Sequence, residues 1–172
     1  MPNEIKLLIK RRDIELEVAK LARAIRNDYL NKNPLLIGIL KGSFIFMADL
    51  VREIDMPLEV DFIRLSSYGC GTGSCGSIKV LSRMNVPVKD RHILVVEDII
   101  DTGLTTAYFL SYLKRKRPAS VRLCALTEKP SRRKTDVKID YLGFTVPDKF
   151  IVGYGIDWNE RYRNLPDICY IG

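Results

Sequence analysis

Residues 93–105 read Ile-Leu-Val-Val-Glu-Asp-Ile-Ile-Asp-Thr-Gly-Leu-Thr. An apolar run runs into two adjacent acids, Glu97 and Asp98, then a third, Asp101, then small hydroxyl and glycine residues that open a helix. A short strand buried on both faces that feeds a helix is the repeating unit of a parallel α/β sheet. Thr102, Gly103 and Thr105 at a helix N-terminus present unpaired backbone N–H groups and hydroxyls, a natural cradle for a phosphate. Glu97 and Asp98 stand just past the strand His92–Val96, where carboxylates can accept hydrogen bonds from ribose hydroxyls. Alone, this acid pair also fits a solvated turn, and Asp101 also fits a helix N-cap. The segment is neither of the common nucleotide loops. G-x-x-x-x-G-K-[ST] is absent, and no G-x-G-x-x-G follows this strand.

Outward from this segment, the same alternation recurs. Val18, Leu21, Ala22, Ile25 and Tyr29 lie at helical spacing, which predicts a helix over 13–31 with Asp13 as its N-cap. Leu35–Leu40 reads as a buried strand, Lys41-Gly42 as a turn, and 44–53 as a second helix. Strands are expected at 58–65, 78–82 and 121–127, with shorter ones near 139–144, 150–153 and 168–171. Between the second and third strands, Gly69, Gly71, Gly73 and Gly76 crowd into eight residues, too many for a packed element. Residues 66–77 are therefore expected to form a flexible active-site loop. The fold class is α/β, a mostly parallel twisted sheet with helices on both faces, in one domain over 1–172. In such sheets ligands bind beyond the carboxyl ends of the strands. The positions to watch are Lys41-Gly42, Glu97–Thr105, Lys129 and the stretch after Val152.

Composition narrows the setting. Of 172 residues, 47% are hydrophobic and 28% charged, which excludes a disordered or collagen-like chain. The longest apolar runs fall far short of the ~20 residues that span a bilayer, and Met1-Pro2-Asn3-Glu4 lacks a secretory pattern. A cytoplasmic protein with no membrane partner is expected. The four cysteines, Cys70, Cys75, Cys124 and Cys169, form no C-x2-C pair, and His92 is the only histidine, so free thiols are expected rather than a zinc site. The net charge of +7 asks for an anionic partner without choosing among nucleic acid, a membrane surface and a phosphorylated small molecule. Much of the excess sits in Lys114–Arg117 and Arg132–Lys134.

The 93–105 segment resembles the ribose-phosphate motif of the type I phosphoribosyltransferases. Three further stretches are similar to parts of the branch that acts on hypoxanthine and guanine. Leu40-Lys41-Gly42-Ser43 resembles the pyrophosphate loop, Arg64–Gly69 with Ser67 and Tyr68 the flexible loop, and Asp148–Arg163 the base-binding segment. The resemblance implies that family's fold, with a small hood formed from terminal segments. It implies transfer of a phosphoribosyl group from phosphoribosyl pyrophosphate to a 6-oxopurine, with Mg²⁺ and in a homodimer or homotetramer. By the same resemblance, Glu97, Asp98, Asp101, Thr102, Gly103, Leu104 and Thr105 hold the ribose phosphate, and Asp101 moves a proton at purine N7. Lys129, Phe150, Ile151 and Asp157 hold the purine: Lys129 faces the 6-oxo group, Phe150 stacks on the ring and Ile151 offers backbone groups. Lys41, Gly42 and Arg163 hold the pyrophosphate, and Glu97, Asp98 and Asp157 are the metal ligands. Trp158 stands where tyrosine is common, Leu104 where some relatives carry lysine, and the chain ends at Ile171-Gly172, short of many members' tail. Two alternatives share the fold: an RNA-binding regulator, favoured only by the charge, and a xanthine-guanine enzyme. Nucleic acid is not the expected partner.

Overall fold

The computed structural model describes residues 4–68, 77–81 and 84–172. In chain order the elements are β1 (Ile5–Ile9), α1 (Arg11–Tyr29), β2 (Leu35–Leu40), α2 (Phe44–Ile54), β3 (Glu59–Tyr68) and β4 (Ser77–Val80). They continue with β5 (His92–Ile100), α3 (Leu104–Lys114), β6 (Ser120–Glu128), β7 (Tyr141–Thr145), β8 (Ile151–Val152) and β9 (Ile168–Ile171). Among the described residues, the main sheet has the order β4-β3-β2-β5-β6-β7. β3, β2, β5, β6 and β7 run parallel, and β4 closes one edge antiparallel to β3. A second sheet, β1-β9-β8, ties the two ends of the chain together as the hood.

Apolar spacing dictates the layers. Ile14, Val18, Leu21, Ala22, Ile25 and Tyr29 line one side of α1 and are buried with α2 against Leu36, Leu94, Val96 and Leu126 of the sheet. Phe109 and Leu113 of α3 cover the opposite face, over Leu35, Ile37, Val95 and Leu123. Each fully buried side chain of this size contributes about 1.5–3 kcal/mol. The expected helices on both faces of a mostly parallel sheet are therefore present. Strand order reverses between β2 and β5, so the crevice for a ligand opens where Lys41-Gly42 and the end of β5 face each other.

Several boundaries differ from the sequence reading. α1 begins at Arg11, so Asp13 lies in its first turn and Lys10 takes the N-cap position. β5 runs on to Ile100 instead of stopping at Val96, and Glu97 pairs with Ala125 inside the ladder. Neighbouring β6 reaches Glu128 and supplies the hydrogen bonds that carry those acids in extended form. The sequence predicts a helix over about 103–117, but α3 stops at Lys114 and leaves Arg115–Arg117 beyond its end. Ser66–Tyr68 continue β3 and Ser77 opens β4, so the two strands take the ends of the expected 66–77 loop. Residues 69–76, with Cys70 and Cys75, lie outside the described residues. β1 was not expected: it is an exposed strand that only its partner β9, at the other end of the chain, makes regular. Cys124 and Cys169 are free and buried.

Candidate active site

Three chain segments converge at the crevice. The first is the end of β5. Glu97 is buried at 7% exposure, and burial beside Asp98 raises its carboxyl well above the ordinary range. Asp98 is pushed up to about 6, first by burial, while hydrogen bonds from its own amide and that of Ile99 oppose the shift. The nearby Arg163 lowers it further and Asp157 raises it. Two desolvated acids on one strand tip favour a proton, a cation or a hydroxyl donor. Thr127 Oγ1 donates to Asp98 O at 2.8 Å and holds the strand tip in place.

Past the acids, the chain turns through Thr102 and Gly103 into α3. Gly103 sits at φ 81°, and a Cβ there would lie 2.7 Å from Thr135 O, so the turn takes no other residue without strain. Leu104 is partly exposed at the first helical position, and Thr105 follows it on the open N-terminus. Lys134 and Thr135 donate their amides to Thr102 O at 2.9 and 3.2 Å, so the 130–135 segment braces the cradle from outside.

Asp101 faces Arg132, whose Nε lies 2.9 Å from Oδ1. That oxygen is shut off from solvent, yet the contact is too poorly aligned to count as a hydrogen bond. Arg132 also reaches Asp148 at 3.5 Å. Beside them, Lys129 donates its backbone N–H to Ile100 O at 2.9 Å and is 6% exposed. Burial lowers the pKa of its ammonium group, with Asp101 and Asp148 pulling the other way. The sequence showed Arg132 only as part of a charge cluster; its carboxylate partners depend on the fold.

The second segment is the turn after β2, with a cis Leu40–Lys41 peptide. Ser43 Oγ donates to Ile39 O at 2.6 Å and is fully buried. A Cβ on Gly42 would sit 1.9 Å from Asp98 Oδ2, so a larger residue in this turn would push the strand-tip carboxylate out of its place. The third segment is the hood. Phe150 is 53% exposed just before β8, whereas Ile151 is buried within it. Between 153 and 162, Gly153, Tyr154, Gly155, Asn159, Glu160 and Tyr162 all have positive φ, and for the four that are not glycine this backbone is strained, as in many functional turns.

This hood stretch and the β2 turn meet through charges. Arg163 Nη2 lies 2.8 Å from Asp157 Oδ1 and 3.1 Å from Glu160 Oε2, while its Nη1 donates to Gly155 O at 2.8 Å. Lys41 Nζ reaches Glu160 Oε1 at 2.9 Å. Glu160, which the sequence did not single out, therefore bridges Lys41 and Arg163; these cations, Lys41 foremost, hold its carboxyl below the usual range. Asp157 Oδ2 accepts from Glu160 N at 2.8 Å, so both of its oxygens are engaged. Among the described residues no three acidic, histidine or cysteine side chains form a ready metal cluster, so Glu97, Asp98 and Asp157 do not converge as the expected trio. The side chains of Ser67 and Tyr68 are outside what the structure describes.

A phosphoribosyl transferase domain model matches residues 8–159. The chain is 46% identical over 167 residues to the hypoxanthine-guanine phosphoribosyltransferase of Bacillus subtilis, covering 97% of this chain and 91% of that one. It is 44% identical over its whole length to the bifunctional protein TilS/HprT of Listeria monocytogenes, of which it spans 26%. A crystal structure of a hypoxanthine-guanine phosphoribosyltransferase from Bacillus anthracis, with a HEPES molecule in its active site, superposes with a TM-score of 0.93. That structure is 43% identical and covers 98% of this chain and 100% of its own.

Proposed function

This chain belongs to the phosphoribosyl transferase family, and from that premise we propose that it transfers the 5-phosphoribosyl group of phosphoribosyl pyrophosphate to N9 of hypoxanthine or guanine. The products are IMP or GMP and pyrophosphate. The observation that carries the reading is Lys129, a buried ammonium held beside Asp101 at the ends of two adjoining strands. A buried cation there suits the 6-oxo oxygen of a purine and repels the amino group of adenine.

Each segment has a task in the transfer. The α3 N-terminus with Thr102, Gly103 and Thr105 takes the 5′-phosphate. Glu97 and Asp98 accept hydrogen bonds from the ribose hydroxyls. The C1′–oxygen bond to pyrophosphate breaks as the C1′–N9 bond forms, and the sugar passes through a cation-like state. Asp101 accepts the proton from N7; its desolvated, poorly hydrogen-bonded Oδ1 supports that role. Phe150, exposed at the hood, stacks on the purine, and Lys41, Gly42 and Arg163 hold the departing pyrophosphate.

The raised carboxyls of Glu97 and Asp98 fit a site short of positive charge. Mg²⁺ on the donor's pyrophosphate would supply that charge and neutralise the leaving group, with Glu97 and Asp98 as the carboxylates that would face it, Asp157 being engaged by Arg163 and the Glu160 amide. The homodimer or homotetramer rests on the family resemblance alone. The test is product analysis with phosphoribosyl pyrophosphate, Mg²⁺ and hypoxanthine: IMP and pyrophosphate should appear one to one. Pyrophosphate released without nucleotide, or no reaction with either base, contradicts the reading.

A further inference from the structure

Tyr154 lies outside every group assigned above, yet its backbone is left-handed at φ 49°, between Gly153 at 100° and Gly155 at 98°. A non-glycine residue there costs roughly 1–2 kcal/mol, so something else must hold it. Its amide donates to Leu165 O at 2.8 Å. Its ring is 6% exposed, and its hydroxyl donates to Asp49 Oδ2 at 2.5 Å. Asp49 stands on α2, with Oδ1 turned to Arg52. A cleft of about 490 Å³, lined by Arg11, Glu15, Asp49, Arg52, Tyr154 and Leu165 among others, opens beside this pair. The ring is packed into the core beside this cleft, and the hydroxyl–carboxylate bond ties it to α2. Burial and Asp49 both push the Tyr154 pKa upward, so the hydroxyl keeps its proton as a donor.

The turn held this way is the one that meets the β2 loop. A Cβ on Gly155 would lie 2.2 Å from Gly42 O, so the two backbones are in direct contact. Gly155 also accepts from Arg163 Nη1 at 2.8 Å and donates its amide to Arg163 O at 3.0 Å. On the other side, α2 follows directly from the Lys41–Ser43 turn, with Phe44 N donating to Lys41 O at 3.2 Å. The Tyr154–Asp49 hydrogen bond thus joins α2, which follows Lys41 and Gly42, to the turn bonded to Arg163, alongside the Lys41–Glu160 pair. We propose that Tyr154 and Asp49 are positioning residues whose hydrogen bond sets the gap between Gly42 and Arg163, and through it the hold on the pyrophosphate end of the donor. The inference rests on the reading of Lys41, Gly42 and Arg163 as the pyrophosphate-holding groups. Two purine-side groups are anchored separately: Ile151, whose strand β8 pairs with β9, and Lys129, which follows β6 and donates its amide to Ile100 O at 2.9 Å.

The test is steady-state kinetics with Mg²⁺, phosphoribosyl pyrophosphate and hypoxanthine on the wild type, Tyr154→Phe, Asp49→Leu, Asp49→Asn and the Tyr154→Phe/Asp49→Leu double variant. Tyr154→Phe should raise KM for the donor about fivefold and leave KM for hypoxanthine within about twofold. The double variant should be no worse than the worse single one, because the two residues share one interaction. Asp49→Asn keeps an acceptor and should stay near wild type where Asp49→Leu does not. Equal changes in both KM values, no change in either, or additive effects in the double variant overturn the proposal. If Tyr154→Phe does not fold, the contrast between Asp49→Asn and Asp49→Leu decides. A wild type that forms no nucleotide shows that the functional reading has failed, and the strut falls with it. Normal wild-type turnover with indifferent variants removes the strut alone.

Discussion

The β5–α3 connection and the hood turn over 153–163 both deliver charged side chains to one crevice, by opposite means. In the first, strand, acids, left-handed glycine and helix N-terminus follow one another within thirteen residues, held by the adjacent strand and by the 130–135 segment that follows it. In the second, a run of left-handed residues has no regular structure of its own and is held by distant groups: Asp49 on α2, Gly42 after β2, and β9 beside β8. A locally built site tolerates changes elsewhere in the molecule, whereas one built from a distance inherits every change in what holds it. Damage within the β5–α3 segment should therefore strike chemistry with little cost in stability, and damage to the hood turn should strike both.

The largest effect is expected at Asp101. Asp101→Asn should slow the chemical step ~10²–10⁴-fold, the usual share of a general acid–base. Its melting temperature should hold, because the pair with Arg132 is substantially exposed and such pairs contribute little. A near-normal single-turnover rate removes Asp101 from the mechanism. Next is Lys129→Ala, which should weaken purine binding by about 1.5–3 kcal/mol while donor binding is retained. Collapse of donor binding instead would place Lys129 at the other end of the site. The depressed ammonium pKa has a pH consequence: purine affinity should fade as pH rises at values below those where an ordinary lysine loses its proton.

On the hood side, Gly155→Ala forces a Cβ to 2.2 Å from Gly42 O at φ 98°. The strain should cost about 1–3 kcal/mol in stability, and the KM for the donor should rise with it. Thermal melts and donor kinetics that both match wild type would erase the contrast between the two regions.

The smallest effect sharpens it. In the ligand-free protein the Asp98 carboxyl is raised from 3.8 to about 6. The folded state then holds a proton that the unfolded chain has already lost, so stability falls as pH rises through that window and the penalty persists above it. Asp98 keeps some contact with solvent, which reduces the effect. Asp98→Asn should thus gain roughly 1 kcal/mol at pH 7.5 without metal or substrate, and less at pH 4. Denaturant midpoints at the two pH values measure this; a variant less stable than wild type at both contradicts it.

The same division decides what could be read from the sequence. The buried strands Leu35–Leu40 and Ile93–Val96, the stripe of α1 and the cradle at Thr102–Thr105 announce themselves through composition and spacing of adjacent residues. β1 did not, because its five residues alternate weakly and become a strand only against β9, more than 150 residues away in sequence. The strand-tip acids were placed one step too late, since extended structure through Glu97 and Asp98 is imposed by β6. Strand ends already point to Lys41-Gly42 and to the stretch after Val152, but Asp157 and Arg163 within that stretch take their roles only from the family resemblance. Nothing local distinguishes Glu160 as the carboxylate that joins two of them, or Tyr154 as the ring that ties their elements together.

The most direct measurement is the ratio of kcat/KM for hypoxanthine to that for adenine, with phosphoribosyl pyrophosphate and Mg²⁺ saturating. A site whose buried ammonium donates to a 6-oxo oxygen should reject the amino analogue by ~10⁴-fold or more. A ratio of that size, with guanine turned over alongside hypoxanthine, is the expected result. Comparable turnover of adenine, or none of either 6-oxopurine, would contradict the assignment of Lys129 and the strand-tip cradle to purine phosphoribosyl transfer.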